Sequence, residues 1–557
     1  MSSEGRKLGP IDFRTNADRY RHWRLEVAGS VSRVTLDVAP EGGLSDEYQL
    51  KLNSYDLSVD IELYDITQRL RFEHPEVRAV VLTGGPDRIF CAGANIQMLA
   101  GSTHEHKVNF CKFTNETRLG IEDATEVSHQ TWIAAVNGTA AGGGYELALA
   151  CEEIILVDDR SSVVSLPELP LLAVLPGTGG LSRVIDKRHV RRDRADLFAT
   201  RAEGIKGEQA RAWGLVDVIA APSIFEETVR KRALEAVARS DRPGGAGVTL
   251  SPLSRQVDGP KISYSSLDIE LDRNLSVAHF RIRGPSHDEP SSASQLLEKG
   301  DSAWILRLCR EIDDALLHLR FNEAEIGTWV FHSSGDPSAV VAVEDALDSH
   351  RGHWLVREIR AYWKRTFKRL DTSARTVVAL VEPGSCFAGT LAEFVLAADR
   401  SLIFEGSPGE GIDPPPCLTL TSANQTQFPM GNGLSRLQAR YWGHDDDLQT
   451  VVELTGKPLS SEECASLGLV TFAFDELDWD DEVRMTLEER SSFSPDALTG
   501  MEANLRFVGP ETMESKIFGR LSTWQNWIFL RPNASGPDGA LRRYGTGSRP
   551  TYDRKRV

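Results

Sequence analysis

The run "GTAAGGGYELALACEE", Gly138 to Glu153, sets three consecutive glycines directly before a helical pattern that carries Glu146. A few residues later, "SLPELPLLAVLPGTGG" presents a second carboxylate, Glu168, in a Pro-flanked loop. Glycine is costly in ordered backbone, so a triplet marks close approach of another group or a dihedral that other residues resist. A helix starting just behind it offers unpaired N–H groups and the positive end of a dipole. Such donors, with two carboxylates nearby, suit a reaction that builds negative charge on one oxygen while protons move. Blander alternatives stand beside this reading. The glycines can serve only tight helix–strand packing, and a glutamate at a helix start can be only a favourable dipole partner.

Those residues need a frame, and the chain supplies it twice. "RFEHPEVRAVVL" (71–82) is echoed by "RFNEAEIGTWVF" (320–331), "WIAAVNG" (132–138) by "VVALVEPG" (377–384), and "YELALACEEIIL" (145–156) by "AEFVLAADRSLIF" (392–404). "PGTGGLSR" (176–183) returns as "PMGNGLSR" (429–436), and "ARAWGLVD" (210–217) as "CASLGLVT" (464–471). Five matches in one order, at offsets of 245 to 254, indicate a tandem duplication. In each copy short β-branched runs alternate with helical patterns, which predicts an α/β fold built from ββα or βαβ units around a largely parallel, buried sheet. "SDRPGGAGVTLSP" (240–252) reads as the linker. From Asp478 onward the spacing predicts helices, ending in a polar, basic tail. The expected organisation is residues 1–250, 251–477 and 478–557.

Only the first copy keeps the chemistry. The second has Gly389, Thr390 and Leu391 where the first has Gly142, Gly143 and Gly144, and Thr421 where the first has Glu168. It retains Glu393 opposite Glu146, but "SSGDPSAVV" replaces "RIFCAGANIQML". The first copy is therefore expected to be catalytic and the second a degenerate copy used for packing.

Composition limits the rest. At 557 residues, 41% hydrophobic and 26% charged, the chain has the make-up of a globular protein of more than one core. A net charge of −18 argues against general nucleic-acid binding. No apolar run reaches membrane-spanning length and the first twenty residues lack a signal-like apolar stretch, so a cytoplasmic protein is expected. Seven scattered cysteines without a CxxC pair fit reduced thiols and give no zinc pattern. No dinucleotide fingerprint, Walker loop, HExxH or GxSxG is present.

"FCAGANIQM", "IAAVNGTAAGGGYELALACE" and "PELPLLAVLPGTGGLSR" resemble the motifs of the crotonase (enoyl-CoA hydratase/isomerase) family. The likeness covers Val31 to about Ala221 well and about 276–470 in weaker form, with helices resembling the family's terminal helices at the end. It implies tandem crotonase-like spiral domains plus a helical C-terminal region. It implies too that an acyl-CoA thioester oxygen sits in an oxyanion hole formed by the N–H groups of Ala94 and Gly143, with Glu146 and Glu168 managing water. Asn109 and Cys111 fall on the segment that lines the acyl pocket, and Lys51 on a basic position near the CoA phosphates. For Cys111 a buried core thiol, and for Lys51 a solvated lysine, remain open. Asn95 stands where many relatives carry aspartate.

The fused double unit, the long N-terminal lead and the tail resemble the family's ring-cleaving members of aerobic benzoate breakdown. That resemblance implies conversion of 2,3-epoxybenzoyl-CoA and two waters to 3,4-dehydroadipyl-CoA semialdehyde and formate, without metal, flavin or nicotinamide. Relatives often form trimers or hexamers; with a fused second copy able to replace one neighbour, a homodimer is the expected assembly. An enoyl-CoA hydratase or isomerase for another acyl-CoA, and a non-catalytic acyl-CoA-binding scaffold, are the alternatives.

Overall fold

The computed structural model describes residues 9–85, 89–406 and 414–557; Arg88, the first residue of the "RIFCAGANIQML" motif, lies outside them. The chain divides into two compact units, Met1–Pro252 and Leu253–Val557.

In the first unit an antiparallel hairpin, Trp23–Ala28 with Val31–Leu36, starts the main sheet. The parallel strands Ala79–Gly84, Thr131–Val136, Glu153–Val157 and Val218–Ala220 then join in sequence order. Ala79–Gly84 is buried along its whole length, as is Glu153–Val157, which accounts for the apolar runs Ala79–Leu82 and Ile154–Val157. One sheet face packs Ala79, Val81, Ile133, Ala135 and Ile155 against Phe225, Val229, Ala233 and Ala236 of the Phe225–Arg239 helix. Three short parallel strands, Ile89–Cys91, Thr139–Ala141 and Val164–Ser165, form a second sheet. Asn137 fixes the corner where the chain passes from one sheet to the other. Its amide donates to Gly84 O (3.1 Å) and Gly85 O (2.9 Å) and its oxygen accepts from Gly84 N (3.2 Å).

The second unit repeats the plan. Leu267–Asp272 and Val277–Arg283 pair antiparallel, and Thr328–Ser334, Thr376–Val381, Arg400–Phe404 and Phe472–Phe474 follow in parallel. Two further antiparallel strands, Gln256–Asp258 and Lys261–Ser263, extend its outer edge. Val330, Val378, Leu380 and Leu402 pack on Trp479 and Leu487 of the Trp479–Ser492 helix, which stands where Phe225–Arg239 stands in the first unit. The Pro495–Leu505 helix joins the same unit through Glu502, which accepts from Thr376 Oγ1 and from Arg556 Nη2. Arg556 also donates to Gly327 O (2.9 Å), so the basic tail ends buried against its own unit.

Residues 240–252 form neither helix nor strand, yet they are tied down. Buried Arg242 donates to three main-chain carbonyls of the first unit, those of Pro75 (3.1 Å), Ser128 (2.9 Å) and Arg71 (2.9 Å). Val248 N donates to Phe72 O at 2.7 Å. A Cβ on Gly247 would lie 1.9 Å from Glu73 O, so only glycine fits that approach. Arg242→Ala would strand three buried acceptors. It is expected to destabilise the first unit by about 3 kcal/mol, read by calorimetry as a lowered first transition; an unchanged Tm would mean that the segment is held elsewhere.

Candidate active site

Each glycine of the triplet answers a different demand. Gly142, at φ +54, turns the chain into the Gly143–Ala150 helix, and a Cβ on it would lie 2.6 Å from Glu168 Oε1. A Cβ on Gly144 would lie 2.3 Å from Cys91 O, so the helix start rests directly on the Ile89–Cys91 strand. A Cβ on Gly143 would lie 1.9 Å from the hydroxyl oxygen of Tyr55. Packing and close approach are both present, divided among the three positions.

The other half of the predicted oxyanion hole meets this turn. Gly93, at φ +87, precedes Ala94, and the place of a Cβ on Gly93 is 2.8 Å from Gly143 N. The Gly93–Ala94 strand pairs with Ser54–Tyr55, and Asn95 N donates to Tyr55 O at 2.8 Å. Asn95 then caps the Ile96–Gly101 helix by accepting from Met98 N (2.9 Å), while its amide donates to Gln49 O (2.9 Å). An ionised aspartate has no donor and can do only the first, which gives the departure from the common family residue a physical reason. Two preorganised donors in a water-poor pocket lower the barrier to an enolate by roughly 3–4 kcal/mol each.

The two carboxylates sit in unlike surroundings. Glu146, 2% exposed, accepts from Thr178 N (3.0 Å), from Gly180 N (2.7 Å) and from the Thr178 hydroxyl. That loop is held in turn by Arg183, whose Nη1 donates to Thr178 O (2.9 Å) while Nε and Nη2 grip Glu122 at 2.9 Å. Glu168 opens the short Glu168–Leu172 helix, and its Oε2 is buried with no hydrogen-bond partner among the described residues. Burial first, and the neighbouring Glu146 carboxylate second, raise its pKa to about 7. One glutamate is a fixed acceptor; the other holds a proton that can leave or arrive near neutral pH.

Of the remaining predicted residues, Asn109 is buried on the His104–Glu126 helix. Cys111 is half-buried, with Sγ 3.5 Å from where a Cβ on Gly177 would sit, and Asn115 Nδ2 bonds Gly177 O nearby (3.0 Å). Burial, then the Glu146 charge, pushes the Cys111 thiol up to about 11, so it is a neutral thiol within reach of the Glu146 charge. Lys51 is exposed; its carbonyl accepts from Ser54 N (3.0 Å) in the turn before Tyr55. Tyr55 and Thr178 escaped the sequence reading. Thr178 lay inside a quoted repeat, "PGTGGLSR" against "PMGNGLSR", where its replacement in the second copy was the available signal.

The second unit shows what became of its own copy. Glu393 is locked to Arg436 Nη1 (3.0 Å) and Asn424 Nδ2 (2.8 Å). Gly389 keeps φ +47, but the Glu344 side chain fills the space above it, with Cγ 2.4 Å from where a Cβ would stand. Thr390 N, the counterpart of Gly143 N, donates to Glu344 Oε1 at 3.1 Å, and Arg360 neutralises Glu344 at 2.7 Å. An internal carboxylate occupies the position equivalent to the oxyanion hole.

Among the described residues no group of three or more His, Cys, Asp or Glu is placed to hold a metal ion, and no helix is long and apolar enough to cross a membrane.

This fold and site define an acyl-CoA enzyme class, and the comparisons agree: residues 49–275 match the enoyl-CoA hydratase/isomerase family, to which the chain belongs. It is 50% identical over 548 residues, 98% of each chain, to the benzoyl-CoA-dihydrodiol lyase of Aromatoleum evansii. The fatty acid oxidation complex subunit alpha of Shewanella loihica is 31% identical over 232 residues, which span 42% of this chain and 31% of that one. A solved enoyl-CoA hydratase from Bacillus anthracis is 29% identical, covering 39% of this chain and 77% of its own, with a TM-score of 0.34.

The raised pKa of Glu168 has a thermodynamic consequence. The folded carboxyl keeps its proton up to about pH 7, whereas an unfolded one releases it near 4.5, so folding is penalised progressively as pH rises through that window. Glu168→Gln removes the penalty. Its Tm should match wild type below pH 4.5 and exceed it increasingly up to pH 7; a Tm difference independent of pH would refute the assignment.

Proposed function

We propose that the protein is a ring-cleaving lyase of aerobic benzoate degradation, acting on 2,3-epoxybenzoyl-CoA. The observation that carries this is the 50% identity to a benzoyl-CoA-dihydrodiol lyase over 98% of both chains. It includes the second unit and the terminal helices, well beyond the 42% of the chain shared with the fatty acid oxidation subunit.

In the proposed reaction, ring carbon 1 is alpha to the thioester and carbon 2 is beta. Water adds across the epoxide, or its oxepin form, and cleavage between carbons 2 and 3 leaves carbon 2 as an aldehyde. A second water hydrates that aldehyde, and cleavage between carbons 1 and 2 expels it as formate. The electron pair moves onto the thioester as an enolate, whose oxygen the Ala94 and Gly143 amides stabilise. Protonation of the carbon skeleton gives 3,4-dehydroadipyl-CoA semialdehyde. Atoms and electrons balance with two waters alone, so no oxidant, reductant or further cofactor is called for. Glu146, fixed by its three donors, is suited to hold water as an acceptor. Glu168, with a pKa of about 7 and an unpartnered oxygen, is suited to carry the proton. Asn109 and Cys111 line the acyl pocket and Lys51 meets the CoA phosphates. We place the enzyme in the cytoplasm as a homodimer.

Supplied with 2,3-epoxybenzoyl-CoA and no metal or nucleotide, the purified protein should release formate in proportion to a six-carbon semialdehyde thioester identified by mass. Unchanged epoxide, with hydration of crotonyl-CoA instead, would favour an ordinary hydratase. Glu146→Gln and Glu168→Gln should each lower kcat by ~100-fold or more. The kcat/KM profile should bend near pH 7 through Glu168. In Glu146→Gln the bend should move to lower pH, because one of the two effects raising that pKa is gone; a bend that stays put would clear Glu168 of the role.

A further inference from the structure

Tyr55 is 2% exposed, and its hydroxyl has no hydrogen-bond partner among the described residues. A buried hydroxyl left unpaired forfeits its hydration for nothing, so each such group calls for an explanation. This one points at the Gly143 Cα, where it takes the place that any side chain on that residue would occupy. Its location is enforced from several sides. Tyr55 O accepts from Asn95 N, one residue past Ala94, and the next residue, Asp56, caps the Leu57–Phe72 helix by accepting from Ser58 N (2.9 Å) and from Tyr48 (2.5 Å). The ring is tilted against Phe110 with centroids 5.9 Å apart, and the Arg118 guanidinium lies 5.3 Å from its centroid. Arg118 is itself buried and anchored to Asp60, which also accepts from Thr114 (2.7 Å). A cation over the ring withdraws electron density from the phenol and makes its O–H a stronger donor.

We propose that the Tyr55 hydroxyl is a third donor of the oxyanion hole, completing its hydrogen bond on the thioester oxygen of the bound acyl-CoA beside the Ala94 and Gly143 amides. The inference rests on the acyl-CoA reading of the site. In the second unit Thr390 N, the counterpart of Gly143 N, is already bonded to Glu344. Where no thioester has to be held, the amide of the turn is spent on the chain itself.

Tyr55→Phe keeps the ring, its contact with Phe110 and the cation above it, and removes only the oxygen. In the full-length protein it should leave Tm unchanged or slightly raised, lower kcat on 2,3-epoxybenzoyl-CoA about 10–100-fold, and alter KM by less than about threefold. The second readout needs no turnover. With benzoyl-CoA carrying a 13C-labelled carbonyl as the probe, isotope-edited infrared spectra should show the bound carbonyl band displaced to low frequency in wild type and moved back toward its free value in Tyr55→Phe. A carbonyl band identical in the two proteins, or a kcat within about twofold of wild type, would overturn the proposal. A wild-type protein that displaces the carbonyl band but leaves the epoxide untouched would sink the ring-cleavage reading and leave the Tyr55 assignment standing on the spectrum. Absence of any displaced band in wild type would remove both.

Discussion

Everything at this site depends on how closely main chain can approach at Gly142–Gly144. The helix start is pressed onto Cys91 O, lies under the Glu168 carboxyl and touches the Tyr55 hydroxyl, at three successive residues. No side chain survives at any of the three without moving one of those neighbours. Gly143 N, at the helix start, lies 2.8 Å from the place of a Cβ on Gly93, whose positive φ brings a second strand edge to the same point. In the proposed role of oxyanion donors such amides act because they are already aimed, and here the backbone cannot rearrange without clashing.

The carboxylates extend that principle to proton transfer. Two glutamates of identical chemistry are made unequal by their neighbours. Three donors from the Thr178–Gly180 loop hold Glu146, whereas Glu168 is half-buried, has its Oε2 unpartnered among the described residues and faces the charge of Glu146. Burial, and then the neighbouring Glu146 charge, keep the proton on Glu168 into the neutral range. Arg183 sits behind this arrangement as a positioning residue, since it holds the loop that holds Glu146.

Duplication provides an internal control. Both units build the same strand order from the same alternation of strands and helices, and both keep a positive-φ glycine at the turn. In the second unit the turn's amide binds Glu344, Arg360 balances that charge, and Arg436 neutralises Glu393. The fold tolerates loss of the site because the sheet and its covering helix do not depend on the turn being open. The two copies differ in whether the turn's amide and glutamate are bonded within the unit.

Much of this was legible in the chain itself. Three glycines before a helix, a glutamate three residues on and the repeated "GLSR" and "GLV" motifs are short-range patterns, and backbone dihedrals and strand or helix periodicity are set over such distances. They determined the duplicated α/β fold and singled out the two carboxylates of the first copy. Tertiary structure alone decided the rest. Tyr55 reaches Gly143 across 88 residues of sequence, Thr178 reaches Glu146 across 32, and Arg242 ties a Gly- and Pro-rich segment to three carbonyls far upstream. Which glutamate keeps its proton follows from desolvation and from the charges packed around it, and those exist only once distant segments have met.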